Sequence, residues 1–254
     1  SSLPAAVAGH EIVYHLAGRT LALRNCQYYE VNRRGVENLA WACAAQQTPP
    51  VMVFVSSLAA AGPAIDGRAR VEADPAAPVS HYGNSKRLGE RAAERMADRV
   101  PISIVRPPIV LGEGDRLGLP LFRSVVRFHV HLVPGFGPRR FSLIHAADLA
   151  NLIMLAGRRG KRLPAGRDGS AEGYYFAACD QDPSYADLGR LVAKACDRHV
   201  LVVPTAMPIV RTVASVGEAL GQLCHHPLLM NLDKYREIAA GSWVCSAKKA
   251  ADEL

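Results

Sequence analysis

The sequence has few aromatic residues, no long apolar run and no cysteine pattern, and each shortage excludes a class of protein. Aromatic side chains make up 6% of the 254 residues, and they do not alternate with basic residues as in surfaces that stack nucleic-acid bases. No apolar stretch reaches the roughly 20 residues of a membrane-spanning helix. The six cysteines lack metal-ligand or redox spacing. We therefore expect no metal site, and free thiols in a reducing cytoplasmic compartment.

The charge of the chain points to no macromolecular partner. The formal net charge is +7, but the basic residues are dispersed along the sequence rather than clustered. Dispersed charge favours a solvated surface, and we expect no nucleic acid partner. A chain of this length can bury a sizeable core, either as one large domain or as a domain with an added lobe.

The most informative segment is Tyr82-Gly83-Asn84-Ser85-Lys86. A tyrosine and a lysine four residues apart lie on one face of a helix. A neighbouring ammonium lowers the pKa of a phenol, which makes the pair a general acid/base for an alcohol or a ketone. The same spacing also occurs on ordinary solvated helices, so the pair needs support from its surroundings.

That support comes from the short apolar run that ends in Ser56 and Ser57. Its β-branched residues favour a strand buried on both faces of a parallel sheet. Ligands of open α/β sheets bind at the carboxyl ends of the strands, where these hydroxyls would lie. The alternative is a serine pair that only starts a turn.

Together these motifs resemble the extended branch of the short-chain dehydrogenase/reductase superfamily, which contains NAD-dependent epimerases, dehydratases and reductases. The resemblance runs from about Gly9 to Leu254. Its further segments are residues 12–18, 31–39, 105–112, 141–150 and 243–254.

The resemblance implies roles for particular residues. The catalytic set would be Ser57, Tyr82 and Lys86, with Asn32 either relaying protons through water or bonding the backbone of its helix. The cofactor, NAD or NADP, would contact Leu16, Ala17, Gly18, Ser56, Tyr82, Lys86, Pro107 and Pro108. The substrate would contact Ser57, Arg140 and His145, although a surface arginine and a strand-end histidine are the alternatives for the last two.

One family motif is missing from the sequence. Relatives open with a G-x-x-G-x-x-G turn that holds the pyrophosphate at a helix N-terminus, and no such turn occurs here. We expect that the family's first strands precede Ser1, and that this chain made alone binds a dinucleotide weakly and associates through its uncovered sheet.

The predicted fold class is α/β, a Rossmann-like doubly wound parallel sheet that is truncated at its N-terminus and carries a small C-terminal α/β substrate lobe. We expect a dinucleotide-binding portion over residues 1–118, and a late strand with the lobe over residues 119–254. The predicted strands cover residues 11–17, 51–57 and 102–106, and the predicted helices cover residues 29–45, 82–98, 119–128, 184–197, 207–223 and 231–239.

Three smaller predictions concern single residues. Asn231 or Asp233 would cap the helix over residues 231–239. His129 and His131 alternate in a short run and are expected on the surface. Cys224-His225-His226 favours a turn over a metal site, because no further ligand lies at a useful spacing.

The substrate class is the least determined feature. Leu58-Ala59-Ala60-Ala61-Gly62-Pro63 follows the serines and is smaller and more apolar than in sugar-nucleotide enzymes; it resembles dihydroflavonol reductases and 3β-hydroxysteroid dehydrogenases. We expect a small-molecule hydroxy or keto substrate and hydride transfer between it and the cofactor. A nucleotide-sugar epimerase or dehydratase, and a cofactor-sensing protein without catalysis, stay open, as does a homodimer.

Overall fold

The computed structural model describes residues 2–166 and 171–254. Its helices are α1 (Leu3–Val7), α2 (Asn25–Tyr29), α3 (Gly35–Ala44), α4 (Leu58–Ala61), α5 (His81–Glu94), α6 (Leu119–Phe128), α7 (Ala146–Arg159), α8 (Tyr185–Ala195), α9 (Met207–Leu223), α10 (Leu232–Ala239) and α11 (Lys248–Glu253). A π-helical segment (Glu30–Arg34) joins α2 to α3. The strands are β1 (Ile12–His15), β2 (Val51–Val55), β3 (Ile102–Arg106), β4 (Ile109–Leu111), β5 (Val130–Pro134), β6 (Leu143–His145), β7 (Tyr174–Phe176) and β8 (Leu201–Thr205).

The main sheet is parallel throughout, with the strand order β1-β2-β3-β7. In this register His15 lies beside Phe54, and Val55 lies beside Val105. The carboxyl ends of the first three strands therefore meet at one edge of the sheet, which is where the sequence predicts the site.

Helices cover both faces of the sheet, because successive strand residues point to opposite sides. Met52, Phe54 and the corresponding residues of β3 pack on one face against α3 and α5. Val53 and Val105 pack on the other face against α7. This arrangement confirms the predicted doubly wound α/β fold.

A smaller unit lies beyond the main sheet. Strands β5 and β8 pair in parallel, and β4 pairs with β6. Beside β5, Val125 of α6 and Val192 of α8 form a separate small core. Strand β7 returns to the main sheet and pairs with β3.

Two strand-level predictions need correction. The strand predicted to reach residue 57 ends at Val55, because the Ser57 side chain accepts a hydrogen bond from the amide of Ala59 and caps α4. His131 was expected on the surface but is buried: its ring stacks on Tyr185, and its Nε2 lies 2.8 Å from the Tyr185 carbonyl oxygen. His129 is exposed, as predicted.

Within the described residues, no helix combines the length and hydropathy needed to cross a membrane.

Candidate active site

Tyr82 and Ser57 meet at the end of β2. Helix α5 begins at His81, and the side chain of Ser80 caps it by accepting a hydrogen bond from the Gly83 amide at 2.9 Å. This start places Tyr82 in the first turn, where the neighbouring Ser57 side chain lowers the pKa of its phenol. The hydroxyl and phenol that the sequence predicts to act together are therefore neighbours.

The pKa of Tyr82 is shifted in the direction opposite to the prediction. Burial raises the pKa of the phenol; the Ser57 side chain lowers it, the Glu237 carboxylate raises it and the Lys234 ammonium lowers it. The protonated phenol is thus the stable form at neutral pH. The prediction was wrong because it considered only the ammonium four residues away. Burial removes water from the phenol, and this desolvation disfavours the phenolate.

Lys86 lies one turn further along α5, with its ammonium turned toward the sheet. Its Nζ donates to the Val55 carbonyl oxygen at 2.8 Å and lies 4.9 Å from the centre of the Phe54 ring. Burial lowers the pKa of Lys86 to about 8, and the carboxylate of Glu90 limits the fall. The side chain is a buried cation close to its titration range.

Gly18 leaves space in front of this ammonium. A Cβ atom placed on Gly18 would lie 3.3 Å from both Lys86 Nζ and Asn32 Oδ1. The preceding Leu16 and Ala17 are exposed, so the loop after β1 is open to a ligand. His15, at the end of β1, is buried, and its Nε2 has no hydrogen-bond partner within the described residues.

Asn32 lies in the π-helical segment, and both the nitrogen and the oxygen of its side-chain amide bond protein groups. Its amide nitrogen donates to the Arg19 carbonyl oxygen and to Ser85 Oγ, and its Oδ1 accepts from the Arg19 amide at 2.7 Å. Both of its donor hydrogens are used. A water relay would need the second lone pair of Oδ1, so the proton-relay role stays a prediction. The backbone that Asn32 bonds is that of Arg19, not that of its own helix.

Ser56 faces away from the cofactor side. Its hydroxyl donates to Glu90 Oε1 at 2.6 Å, in a buried cluster that includes Arg106. Any contact of Ser56 with a cofactor would have to come from its backbone. Pro107 is buried and Pro108 half-buried, and the Pro107 carbonyl oxygen accepts from the Leu58 amide at 2.8 Å. The proline loop is thereby fixed against the start of α4.

Arg140 and His145, which together with Ser57 are predicted to bind substrate, have different surroundings. His145 caps α7 through Nδ1, which accepts from the Ala147 amide, and it also lines a cavity of about 540 Å³ with Leu111, Gly112, Glu113, Gly114, Asp115, Arg116, Leu119 and Phe122. Arg140 is exposed, and its backbone bridges to Ser184 and Ser242. Both substrate roles stay predictions.

The sequence did not point to the residues that approach Tyr82 from α10. Asp233 accepts hydrogen bonds from the amides of His81 and Tyr82. Asn231, the alternative cap, is the one that caps α10, by accepting from the Lys234 amide at 2.9 Å. Asp233 also pairs with Arg236 inside α10, and no local sequence signal indicates its other partners, which lie about 150 residues away.

The donor set around Lys86 fits the ribose and nicotinamide half of a dinucleotide. An ammonium has three N–H donors, and within the described chain only Val55 accepts one of them. Gly18 lies beside the ammonium and carries no Cβ atom to crowd it. In the same part of the chain, no three histidine, cysteine, aspartate or glutamate side chains are grouped to hold a metal ion.

Comparison with known proteins identifies the family of this site. The family model for the NAD dependent epimerase/dehydratase family matches residues 2–169. Ceramide reductase from Caulobacter vibrioides is 28% identical over 245 residues, which are 96% of this chain and 68% of that protein. The dTDP-6-deoxy-L-talose 4-dehydrogenase (NAD(P)(+)) from Kitasatospora kifunensis is 33% identical over 107 residues, 41% of this chain and 34% of that protein.

A solved structure supports the fold alone. The UDP-glucuronic acid 4-epimerase from Bacillus cereus, in complex with NAD, superposes with a TM-score of 0.74 at 16% identity, over 100% of this chain and 71% of that one. The sequence predictions of the family, of an NAD(P)-dependent enzyme and of a Rossmann-like sheet are confirmed by these matches. The chain belongs to the NAD dependent epimerase/dehydratase family.

Proposed function

We propose that the protein is an NAD(P)-dependent oxidoreductase that interconverts a hydroxyl and a carbonyl group, using Ser57, Tyr82 and Lys86. The observation that carries this proposal is the placement of Ser57, at the start of α4, beside Tyr82, in the first turn of α5, at the carboxyl end of β2. Ser57 can donate a hydrogen bond and Tyr82 can donate a proton to the same carbonyl oxygen. These are the two contributions that the oxygen needs in order to become a hydroxyl.

The names of the two curated relatives favour net oxidation or reduction over epimerisation. One is called a reductase and the other a dehydrogenase. Both names describe a net oxidation or reduction of the substrate. An epimerase would use the same three side chains but would release no reduced or oxidised cofactor.

The three side chains have different roles in proton transfer. A bound nicotinamide dinucleotide supplies or takes the hydride. In reduction, Ser57 donates a hydrogen bond to the carbonyl oxygen, and Tyr82 gives that oxygen its proton. The raised pKa of Tyr82 suits this direction, because the phenol is already protonated at neutral pH. In oxidation the phenolate of Tyr82 takes the hydroxyl proton, and Lys86 holds the ribose beside it.

We propose a hydrophobic or small hydroxy/keto compound as the substrate. Leu58, Ala59, Ala60 and Ala61, which follow Ser57, are all buried and apolar. The cavity beside His145 is lined by the apolar side chains of Leu111, Leu119 and Phe122 as well as by charged residues. The relative named ceramide reductase is consistent with an apolar substrate.

The test is Tyr82→Phe in the full-length protein, with Tyr14→Phe as the matched control, since Tyr14 is an exposed residue of β1. Loss of the hydroxyl should lower turnover by ~10²-fold or more and leave cofactor affinity nearly unchanged. The assay follows NAD(P)H absorbance with a panel of alcohols and ketones, and product analysis detects epimerisation without net cofactor turnover. More than a tenth of wild-type activity in Tyr82→Phe would refute the proposal.

A further inference from the structure

The start of helix α5 is held by a carboxylate from the other end of the chain. Asp233 Oδ1 accepts from the His81 amide at 2.7 Å, and Oδ2 accepts from the Tyr82 amide at 3.1 Å. Asp233 is itself buried. One carboxylate therefore fixes the backbone of Tyr82 and of the residue before it.

These two amides depend on an outside partner. The first N–H groups of an α-helix have no carbonyl oxygen one turn earlier in the helix. The local cap, Ser80, is already used by the Gly83 amide. A carboxylate is also the favoured charge at a helix N-terminus. Asp233 thus completes a cap that the sequence around α5 leaves unfinished.

The rest of α10 strengthens the attachment. Glu237, one turn after Asp233, accepts from the Ser80 hydroxyl at 2.8 Å through Oε1 and pairs with Lys234 through Oε2 at 2.9 Å. Arg236 pairs with Asp233 at 3.1 Å. The guanidinium of Arg139 donates to the Ile238 carbonyl oxygen near the other end of α10. The helix is therefore fixed at both ends.

We propose that Asp233 is a positioning residue for Tyr82, and that helix α10 holds the phenol in its working position against Ser57. This proposal rests on the proposed function, because it takes Tyr82 as the proton donor. Asp233 touches the backbone and not the phenol, so it acts through the placement of α5. The C-terminal part of the chain thereby contributes to the reaction as well as to binding.

The charges that face Tyr82 give this proposal a second consequence. They come from α10, with Lys234 and Glu237. Tyr28 of α2 and Ser57 before α4 add two hydroxyl groups, and the Tyr28 ring centre lies 6.1 Å from that of Tyr82. Removing Glu237's charge should lower the pKa of Tyr82, and removing Lys234's should raise it.

The experiment compares Asp233→Ala with Asp187→Ala in the full-length protein. Asp187 is a fitting control because it also pairs with an arginine three residues on and caps a helix, but that helix is α8. Amide hydrogen exchange, read residue by residue, should speed up at least tenfold at His81 and Tyr82 in Asp233→Ala and stay unchanged there in the control. Turnover should fall at least tenfold, with cofactor affinity within twofold of wild type.

A second set of variants guards against a loss of folding. Asp233→Asn keeps one acceptor oxygen, so its exchange and turnover should lie between those of wild type and Asp233→Ala. In the oxidation direction, the pH–rate profile should move to lower pH in Glu237→Gln and to higher pH in Lys234→Met. A purely structural role of α10 would not move the two profiles in opposite directions.

Two results would overturn the proposal: unchanged exchange at His81 and Tyr82 in Asp233→Ala, or faster exchange there with wild-type turnover. Failure of the proposed function is seen separately. If Tyr82→Phe were fully active, Tyr82 would not be the proton donor, and the exchange data would still decide whether Asp233 holds the start of α5.

Discussion

Arg106 and Glu90 form a bidentate ion pair that is buried behind the candidate active site. Arg106 Nε donates to Glu90 Oε1 at 2.8 Å, and Nη2 donates to Oε2 at 2.7 Å. Glu90 has no exposed surface and also accepts the Ser56 hydroxyl. The pair ties α5, which carries Tyr82 and Lys86, to the ends of β2 and β3.

Glu90→Gln should destabilise the protein strongly. The amide keeps the shape of the side chain but leaves the Arg106 cation buried without its counter-charge. Breaking such a pair by removing one partner costs about 3–5 kcal/mol. Urea unfolding followed by circular dichroism measures the change in the free energy of unfolding.

Glu37→Gln is the matched control for that measurement. Glu37 pairs with Arg95 at 3.6 Å, with both side chains more than a third exposed. Its loss should cost less than about 1 kcal/mol. Equal midpoints for the two variants would show that the buried pair adds nothing beyond a surface pair.

The sequence predicted the parts of the site that depend on local pattern. Apolar strands ending in Ser56-Ser57 and a helix carrying Tyr82 and Lys86 follow from periodicity and spacing, and the structure places them at one sheet edge. The sequence could not predict the hydrogen bond from the Tyr82 amide to Asp233, because no local rule pairs residues 151 positions apart. The inward turn of Ser56 depends equally on its distant partner Glu90.

The helix predicted over residues 29–45 shows the same limit at the level of the backbone. It forms, but Glu30–Arg34 widens into a π-helical segment around Asn32. Propensity does not distinguish the two hydrogen-bond patterns, and π segments are frequent at functional sites. Here the side chain of Asn32 bonds Arg19 and Ser85, both of which come from other segments.

Gly89→Ala and Gly35→Ala should change stability in opposite directions. A Cβ atom on Gly89 would lie 2.4 Å from the carbonyl oxygen of Asn32, so α5 would have to move away from the π-helical segment. Such overpacking costs about 1–3 kcal/mol. A Cβ atom on Gly35 meets nothing within 4 Å, and a helical alanine there should stabilise the protein by about 0.5–1 kcal/mol. Thermal unfolding of the two variants checks both signs, and a stable Gly89→Ala protein would contradict the close packing.

Lys86→Met should lower both turnover and cofactor affinity. The ammonium faces the space beside Gly18, and only one of its donors is used, by Val55, in the part of the chain that the structure describes. Methionine keeps an unbranched stem of similar length and removes all three donors. Calorimetric titration of the full-length protein with NAD(H) and NADP(H) measures the affinity. An unaltered dissociation constant would remove the ribose role of Lys86 while leaving its effect on turnover to be explained.

The same substitution should also change how stability depends on pH. The pKa of Lys86 is about 8 in the folded protein because burial disfavours its charge, against 10.5 as its ordinary value. Between these two values the unfolded chain holds the proton and the folded chain does not, so raising the pH favours folding. Below pH 8 both states are charged, and the wild type carries the full cost of the buried ammonium. The free energy of unfolding of the wild type should therefore rise relative to that of Lys86→Met between pH 8 and pH 10.5, by up to ~3 kcal/mol at ~1.4 kcal/mol per pKa unit. Urea unfolding at half-unit pH steps measures both curves, and Lys194→Met, at an exposed lysine of α8, should run parallel to the wild type. If Lys86→Met also runs parallel over this range, Lys86 is not a desolvated cation in the folded protein.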